Sequence, residues 1–142
     1  MKNQKWVYND GGRSSYFKGE RVGDCVTRSI AIASKMDYKK VYDALSKGNA
    51  SQGGSKSARN GISTKRKWFK DQMREWGFRW QPTMGIGTGC KVHLRAEELP
   101  KGRIIARCSR HYSAVIDGVI NDTYDPSRDG ERAVYGYWIY VD

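Results

Sequence analysis

Apolar residues recur with a helical period soon after the polar N-terminal segment. Val26, Ile30 and Ala33 stand at i, i+4 and i+7, which predicts a helix buried along one side. Asp24 precedes this run and is a preferred N-cap residue. The helix is therefore predicted to hold Cys25 in its first turn.

Two further helices are predicted downstream. One covers residues 37–47, and Gly48 is expected to end it. The other begins at Ser63 or Thr64, either of which can cap it, and reaches Trp76. The apolar positions on their buried sides are Tyr38, Val41, Tyr42 and Leu45 in the former and Trp68, Phe69, Met73 and Trp76 in the latter.

Two segments lack a sustained apolar period. Residues 1–23 are predicted to form an irregular arm with a turn over residues 9–12 and room for one short strand. Residues 48–62 are rich in Gly, Ser and Asn, so we expect a mobile, basic loop. Such a loop could serve as a lid over a site.

The second half of the chain has the period of two that is typical of β-strands. Residues 104–116, 119–124 and 134–141 are predicted strands, and Asp117-Gly118 between the first two is a strong hairpin signal. Helices come first and strands afterwards. We therefore expect an α+β domain in which N-terminal helices pack on a C-terminal antiparallel sheet.

The length of 142 residues suits one domain over residues 1–142. No run approaches the roughly 18 apolar residues of a membrane span, and the N-terminus is polar. The cysteine count of three is odd, which argues against a disulfide framework and fits a reducing compartment. We expect a cytoplasmic protein with no membrane partner.

Lysine and arginine outnumber aspartate and glutamate by 26 to 15, a formal net charge of +11. This excess favours polyanionic partners. Five basic residues lie on or just before the third predicted helix, namely Lys65, Arg66, Lys67, Lys70 and Arg74. Such a run is either a solvated helix face or a surface that grips phosphates or an acidic protein, and both interpretations stay open.

Cys25 has the setting of a reactive thiol. The first turn of a helix stabilises a thiolate through its free N–H groups and the positive end of the dipole. A nucleophilic thiol also needs a base, and the chain offers two histidines, His93 and His111. His111 has the better setting, because it lies on a predicted strand close to acidic residues.

The hairpin geometry pairs His111 with an acid. If Asp117 and Gly118 are the two loop residues, Ser113 pairs with Asp122, and His111 becomes a diagonal neighbour of Asp122 on the same face. An aspartate there can accept an imidazole N–H, the orienting contact of a catalytic triad. Asn121 and Asp125 have the opposite parity and are expected to point away. A bulge or a longer loop would shift the register by one residue and exchange these roles.

The order of these residues resembles that of papain-like cysteine peptidases: Cys25 opens a buried helix, His111 follows on a strand, and Asp122 lies on the next strand. The stretches GDCVTRSIAIA and RHYSAVIDGVINDTYD are similar to those of small phage-encoded proteins of this fold. A more distant similarity is to the bacteriocin-processing peptidases. The resemblance covers residues 23–138 and implies a papain-like fold, with Cys25 attacking a carbonyl, His111 moving the proton and Asp122 fixing the tautomer.

One part of the papain-like pattern is missing. The resemblance implies a Gln six residues before the nucleophile to hold the oxyanion, and this position is Gly19. The backbone N–H of Cys25 can still donate, and the side chains of Asn9 and Gln4 are candidates for the second donor. Without a second donor the activity is expected to be weak or absent.

The remaining cysteines and His93 are given structural roles. Cys90 and His93 have a C-x-x-H spacing, but no second paired motif is present to complete a zinc site. Cys108 is expected to face away from His111 and to pack in the core. We expect no metal and no cofactor.

Two functions from different classes follow. The first is a thiol-dependent hydrolase, a peptidase or isopeptidase of phage origin that acts on a protein or peptide, an acidic one included, in the host cytoplasm. The alternative is a non-catalytic basic binding module that inhibits a host protein or binds nucleic acid. The Cys25, His111 and Asp122 set favours the former, and the charge of +11 with the missing Gln favours the latter.

Overall fold

The structure is a computed structural model that describes residues 5–15, 24–51, 64–84, 89 and 91–141. The α-helices are α1 (Cys25–Ser34), α2 (Tyr38–Ser51) and α3 (Lys67–Glu75). The strands are β1 (Trp6–Tyr8), β2 (Phe78–Pro82), β3 (Arg103–Cys108), β4 (His111–Ile116), β5 (Val119–Asp122) and β6 (Gly136–Tyr140). Short 3-10 turns occupy Arg13–Ser15 and Ala96–Glu98. Within these ranges, no helix has the length and apolar character that a bilayer crossing demands.

The strands form one six-stranded sheet in the order β1-β5-β4-β3-β6-β2. The α+β class is thus confirmed. The expectation of an antiparallel sheet formed by the C-terminal half of the chain is wrong, because the sheet is mixed and includes β1. The N-terminal strand β1 runs parallel to β5, with Tyr8 paired to Asp122, while the other neighbouring strands are antiparallel. The parallel pair arises because the chain leaves β1 and crosses through the helices before it returns to the sheet.

The predicted long strand over residues 104–116 is two strands joined by a tight turn. Ser109 and Arg110 form this turn, and Arg110 adopts a positive φ of 55°. Cys108 and His111 are the pair that closes it. The alternating pattern did not reveal the turn because it contains neither Gly nor Pro. Strand β2, over residues 78–82, is a further element that the periodicity did not predict.

Two apolar clusters lie on opposite faces of the sheet. The helical cluster joins the three helices to alternate strand residues such as Ile105, Tyr112 and Trp138. The second cluster contains their strand neighbours, including Ile104 and Val115, packed under a loop. Since successive strand residues point to opposite faces, the inner strands are buried from both sides, while the edge strands β1 and β2 are mostly exposed. The buried residues of the helical cluster include the predicted apolar positions Val26, Ile30, Ala33, Tyr38, Val41, Leu45, Phe69 and Met73.

Gly48 does not end α2 as the sequence predicts, because the helix continues to Ser51. A Cβ at Gly48 would lie 2.4 Å from Cζ3 of Trp68. The glycine therefore allows the Trp68 ring of the next helical region to approach the backbone of α2. Residues 52–62 of the predicted loop lie outside the described residues.

We expect Gly48→Ala to destabilise the protein. Alanine is the better helix former by about 1 kcal/mol, but its methyl group overlaps Trp68, and overpacking typically costs about 1–3 kcal/mol. Urea unfolding should therefore show a net loss of stability for Gly48→Ala. Lys47→Ala, an exposed neighbour on the same helix, is the control and should change stability by less than about 0.5 kcal/mol. A more stable Gly48→Ala protein would contradict the close approach of Trp68.

Candidate active site

Cys25, His111 and Asp122 meet where three elements begin or end. Cys25 is the first residue of α1, His111 the first of β4 and Asp122 the last of β5. Nε2 of His111 lies 2.7 Å from Oδ2 of Asp122. The ring of His111 is also a neighbour of the Cys25 thiol, since each group shifts the pKa of the other. Since Nε2 is engaged by Asp122, Nδ1 is the ring nitrogen left for the sulfur.

The hairpin register that brings His111 to Asp122 is confirmed. Ile116 pairs with Val119 and Val115 with Ile120. The loop residues Asp117 and Gly118 have positive φ values of 49° and 85°, as in a type I′ turn. Continuing this register, Ser113 comes opposite Asp122, and its hydroxyl donates to Oδ2 of Asp122 at 2.7 Å.

The surroundings of Cys25 favour its thiolate. Burial alone would raise the pKa of the thiol, but the hydrogen bond and the charge of His111 lower it. The backbone N–H of Tyr112 and the positive charge of Arg28 act in the same direction. The pKa of Cys25 is therefore lowered from its ordinary value, while the residue stays partly exposed.

The surroundings of His111 favour its imidazolium. Burial alone would lower the pKa of the ring, but hydrogen bonds to Asp122 and Cys25, together with the negative charges of both, raise it to about 9. Asp122 is 2% exposed. Burial would raise its pKa, yet His111, Ser113 and the backbone N–H of Thr123 lower it. A thiolate and imidazolium pair beside a carboxylate is the charge state that this arrangement supports.

Arg28 is the centre of a buried charge network that the sequence did not reveal. Its guanidinium ion-pairs with Asp24 through one nitrogen and with Oδ1 of Asp122, at 3.2 Å, through the other. Arg28 is 6% exposed and Asp24 is 1% exposed. The network therefore joins the start of α1 to the end of β5. The signal in the sequence was an aspartate at the N-cap position followed four residues later by an arginine, the one charged residue of α1.

Asp24 stands at the N-cap position, but its side chain does not cap the helix. Its carboxylate accepts from the Tyr38 hydroxyl at 2.6 Å and from Arg13 at 3.4 Å, in addition to Arg28. Burial and the bond to Asp24 raise the pKa of Tyr38, which keeps its hydroxyl a donor. Asp24 therefore does not cap α1 as predicted, and its carboxylate instead pairs with the buried Arg13 and Arg28.

The predicted oxyanion-hole donors are the backbone N–H of Cys25 and the side chains of Asn9 and Gln4. The first helical bond runs from the N–H of Arg28 to the carbonyl of Asp24, so the N–H of Cys25 lies before the hydrogen-bond ladder of α1. Asn9 is held elsewhere, since its Nδ2 donates to Asn121 at 3.1 Å and its Oδ1 accepts from the N–H of Gly11. Asn121 points away from Asp122 because the two are strand neighbours. Gln4 and Gly19 lie outside the described residues.

The five basic residues near α3 divide into two groups. Lys65, Lys70 and Arg74 line a cleft of about 280 Å³, together with Arg107 from β3. Lys67 is exposed and pairs with Asp71 at 2.7 Å, and Arg66 is the residue before the helix. The other walls of the cleft are the rings of Trp80, Tyr112 and Trp138. The sequence did not predict the contribution of Arg107 because it comes from a distant strand.

Cys108 is buried in the second cluster, as expected. The expectation that it faces away from His111 is wrong, because the turn after β3 pairs the two residues, and paired residues share a face. His93 is only partly buried, and its Nδ1 lies 3.1 Å from Oε1 of Glu98. Cys90 is not among the described residues, and the described ones contain no group of three or more His, Cys, Asp or Glu residues suited to a metal ion.

Comparison with protein-family models, with curated proteins and with solved structures found no match to this chain. What the site can do is therefore inferred from its geometry. The site holds a partly exposed sulfur with a lowered pKa, a histidine that shifts this pKa, and a buried carboxylate bonded to that histidine. This is the arrangement in which a sulfur can act as a nucleophile, with a base and an orienting group. These are the parts required for acyl transfer through a thioester.

We expect Arg28→Met to lower stability strongly. The variant leaves Asp24 and Asp122 buried without their shared cation, and breaking a buried ion pair in this way costs about 3–5 kcal/mol. Urea unfolding measures the loss. Lys39→Met, which removes the exposed pair of Lys39 with Asp43, is the matched control and should cost less than about 0.5 kcal/mol. Equal effects of the two changes would show that Arg28 is not the buried centre of the network.

The titration of His111 is expected to be displaced toward alkaline pH. Its folded pKa of about 9 lies above the ordinary value of 6.5, so the stabilisation of the imidazolium is complete below pH 6.5 and is lost as the pH rises through 9. Asp122→Asn should lower the NMR titration midpoint of the His111 ring by about 1–3 units. Asp129→Asn, at an exposed position, should leave it unchanged. A midpoint insensitive to Asp122→Asn would refute the carboxylate as its cause.

Proposed function

We propose that this chain is a thiol-dependent hydrolase, a peptidase or isopeptidase, with Cys25 as nucleophile, His111 as base and acid, and Asp122 as orienting group. The observation that carries the proposal is the grouping of the three side chains: Cys25 and His111 shift each other's pKa, and Nε2 of His111 lies 2.7 Å from Oδ2 of Asp122. In support, the pKa of the thiol is lowered and that of the histidine is raised, as a thiolate and imidazolium pair requires.

The first half of the reaction uses the charges already in place. The thiolate of Cys25 attacks the carbonyl carbon of the substrate, a C–S bond forms and the carbonyl oxygen becomes an oxyanion. The N–H of Cys25 at the start of α1 is the available backbone donor to that oxygen. When the C–N bond breaks, the imidazolium of His111 gives its proton to the leaving amine. The products are the free amine and a thioester on Cys25.

The second half regenerates the thiolate. His111, now neutral, takes a proton from water, and the resulting hydroxide attacks the thioester carbonyl. The C–S bond breaks, the acid leaves, and His111 is again an imidazolium beside the thiolate. Asp122 holds Nε2 of the ring throughout, so that Nδ1 keeps facing the sulfur.

A papain-like architecture is part of the same proposal. Its support is the location of the thiol at the start of a buried helix and of the histidine and aspartate on neighbouring strands. The phage origin, the host target and the second oxyanion donor stay predictions from the resemblance alone.

Alkylation with iodoacetamide, followed by peptide mapping, tests the state of the thiol. We expect Cys25 to react faster than the buried Cys108 and to stay reactive at pH 6, because a low thiol pKa preserves the thiolate there. In His111→Ala the thiolate loses its partner, and labelling at pH 6 should slow by roughly tenfold or more. The Asp129→Asn variant serves as the control.

Hydrolysis of a peptide and isopeptide library tests the activity itself. The wild-type chain should release products that Cys25→Ala does not, with both proteins showing the same circular dichroism spectrum. Labelling of Cys25 that follows an ordinary thiol titration, unchanged by His111→Ala, would remove the basis of the proposal.

A further inference from the structure

The cleft between α3 and the sheet is lined by cations that have no acidic partner in the described part of the chain. Lys70 and Arg74 reach it from α3, Lys65 from the turn before that helix and Arg107 from β3. The ion pairs of the described residues involve none of these four. Like charges that line one concave surface focus a positive potential, which an anionic ligand relieves.

The aromatic walls of the cleft are held in place by their own contacts. The rings of Trp80 and Trp138 lie 5.1 Å apart, and Nε1 of Trp138 donates to the Tyr112 hydroxyl at 3.3 Å. The side chain of Thr64 also bonds that hydroxyl. A Cβ on Gly136 would lie 2.3 Å from the Trp80 ring, so this glycine leaves the space that Trp80 occupies. The cleft thus combines a preformed apolar surface with charges that have no acidic partner among the described residues.

Tyr112 connects this cleft to the thiol. Its ring lines the cleft, while its backbone N–H lies near the Cys25 sulfur and lowers the pKa of the thiol. It is also the residue directly after His111. When a substrate carbonyl is held at Cys25, a substrate side chain next to that carbonyl would therefore be within reach of the cleft.

The size of the cleft distinguishes between anionic ligands. Its volume of about 280 Å³ suits a side chain with part of its backbone. A nucleic acid strand instead requires a groove that follows several phosphates. The ligand that fits is a carboxylate on an aliphatic stem. Arginine and lysine bind the carboxylate, and the stem packs against indole rings.

We infer that this cleft is a specificity pocket for an acidic side chain of the polypeptide substrate, next to the carbonyl that Cys25 attacks. The inference rests on the proposed function, which it deepens by naming the substrate class. Arg107 and Lys70 bind the carboxylate, and Trp80 and Trp138 pack on its stem. Lys67, on the same helix but paired with Asp71, lies outside the pocket.

The test is a binding titration on the full chain with Cys25→Ala, so that no peptide is consumed. Two probes differ in one group, acetyl-Ala-Glu-Ala-amide and acetyl-Ala-Gln-Ala-amide, and the NMR indole N–H signals of Trp80 and Trp138 report binding. We expect about tenfold tighter binding of the Glu peptide, the effect of one charge-assisted hydrogen bond. Arg107→Met and Lys70→Met should each abolish the preference, and Lys67→Met should keep it. Lys70 is exposed on α3, so its variant keeps the test valid if Arg107→Met fails to fold.

Equal binding of the two peptides, or a Glu preference that survives Lys70→Met, would overturn the inference. Displacement of the Glu peptide by a single-stranded oligonucleotide, with a steep salt dependence, would also overturn it in favour of a nucleic-acid site. A Glu preference without fast labelling of Cys25 keeps the acidic pocket and rejects the hydrolase. Fast labelling of Cys25 without a Glu preference keeps the hydrolase and rejects the acidic pocket.

Discussion

The buried guanidinium of Arg28 is the contact on which the site depends. It lies between the carboxylates of Asp24 and Asp122, one at the start of α1 and one at the end of β5. A buried carboxylate without a partner would be protonated or would destabilise the fold, because desolvation of a charge is costly. By pairing with both carboxylates, Arg28 compensates part of their desolvation and holds the helix start, which carries Cys25, against the same strands.

The charges around the thiol balance one another although the chain as a whole carries +11. Arg13, Arg28 and the imidazolium of His111 are the cations, and Asp24, Asp122 and the thiolate of Cys25 are the anions. Each is in contact with at least one charge of opposite sign. Such a network can be buried as a unit, and the removal of a single member leaves its neighbours with fewer partners in a buried setting. The thiol, the imidazole and the fold are therefore linked by the same interactions.

Local patterns predicted the site better than they predicted the sheet. The helix start at Cys25 and the register around Asp117-Gly118 depend on residues close in sequence, and both are confirmed. The contact of Arg28 with Asp122 joins residues far apart in the chain, and so does the parallel pairing of β1 with β5, which no local period encodes. The extension of α2 through Gly48 was missed for the same reason, since the ring that requires a glycine there belongs to another segment.

The alternation of β4 separates the proposed chemistry from the proposed recognition. His111 and Tyr112 are consecutive, so one ring faces the side of Asp122 and Ser113 and the other faces the helical cluster and the basic cleft. The two sides meet at the start of the strand, where the His111 ring and the backbone N–H of Tyr112 both lower the pKa of the Cys25 thiol. Changes to exposed α3 residues such as Lys70 can therefore alter what the cleft binds without touching the buried charges that Arg28 holds together. In a hydrolase built this way, substrate preference can vary while the nucleophile and its base stay the same.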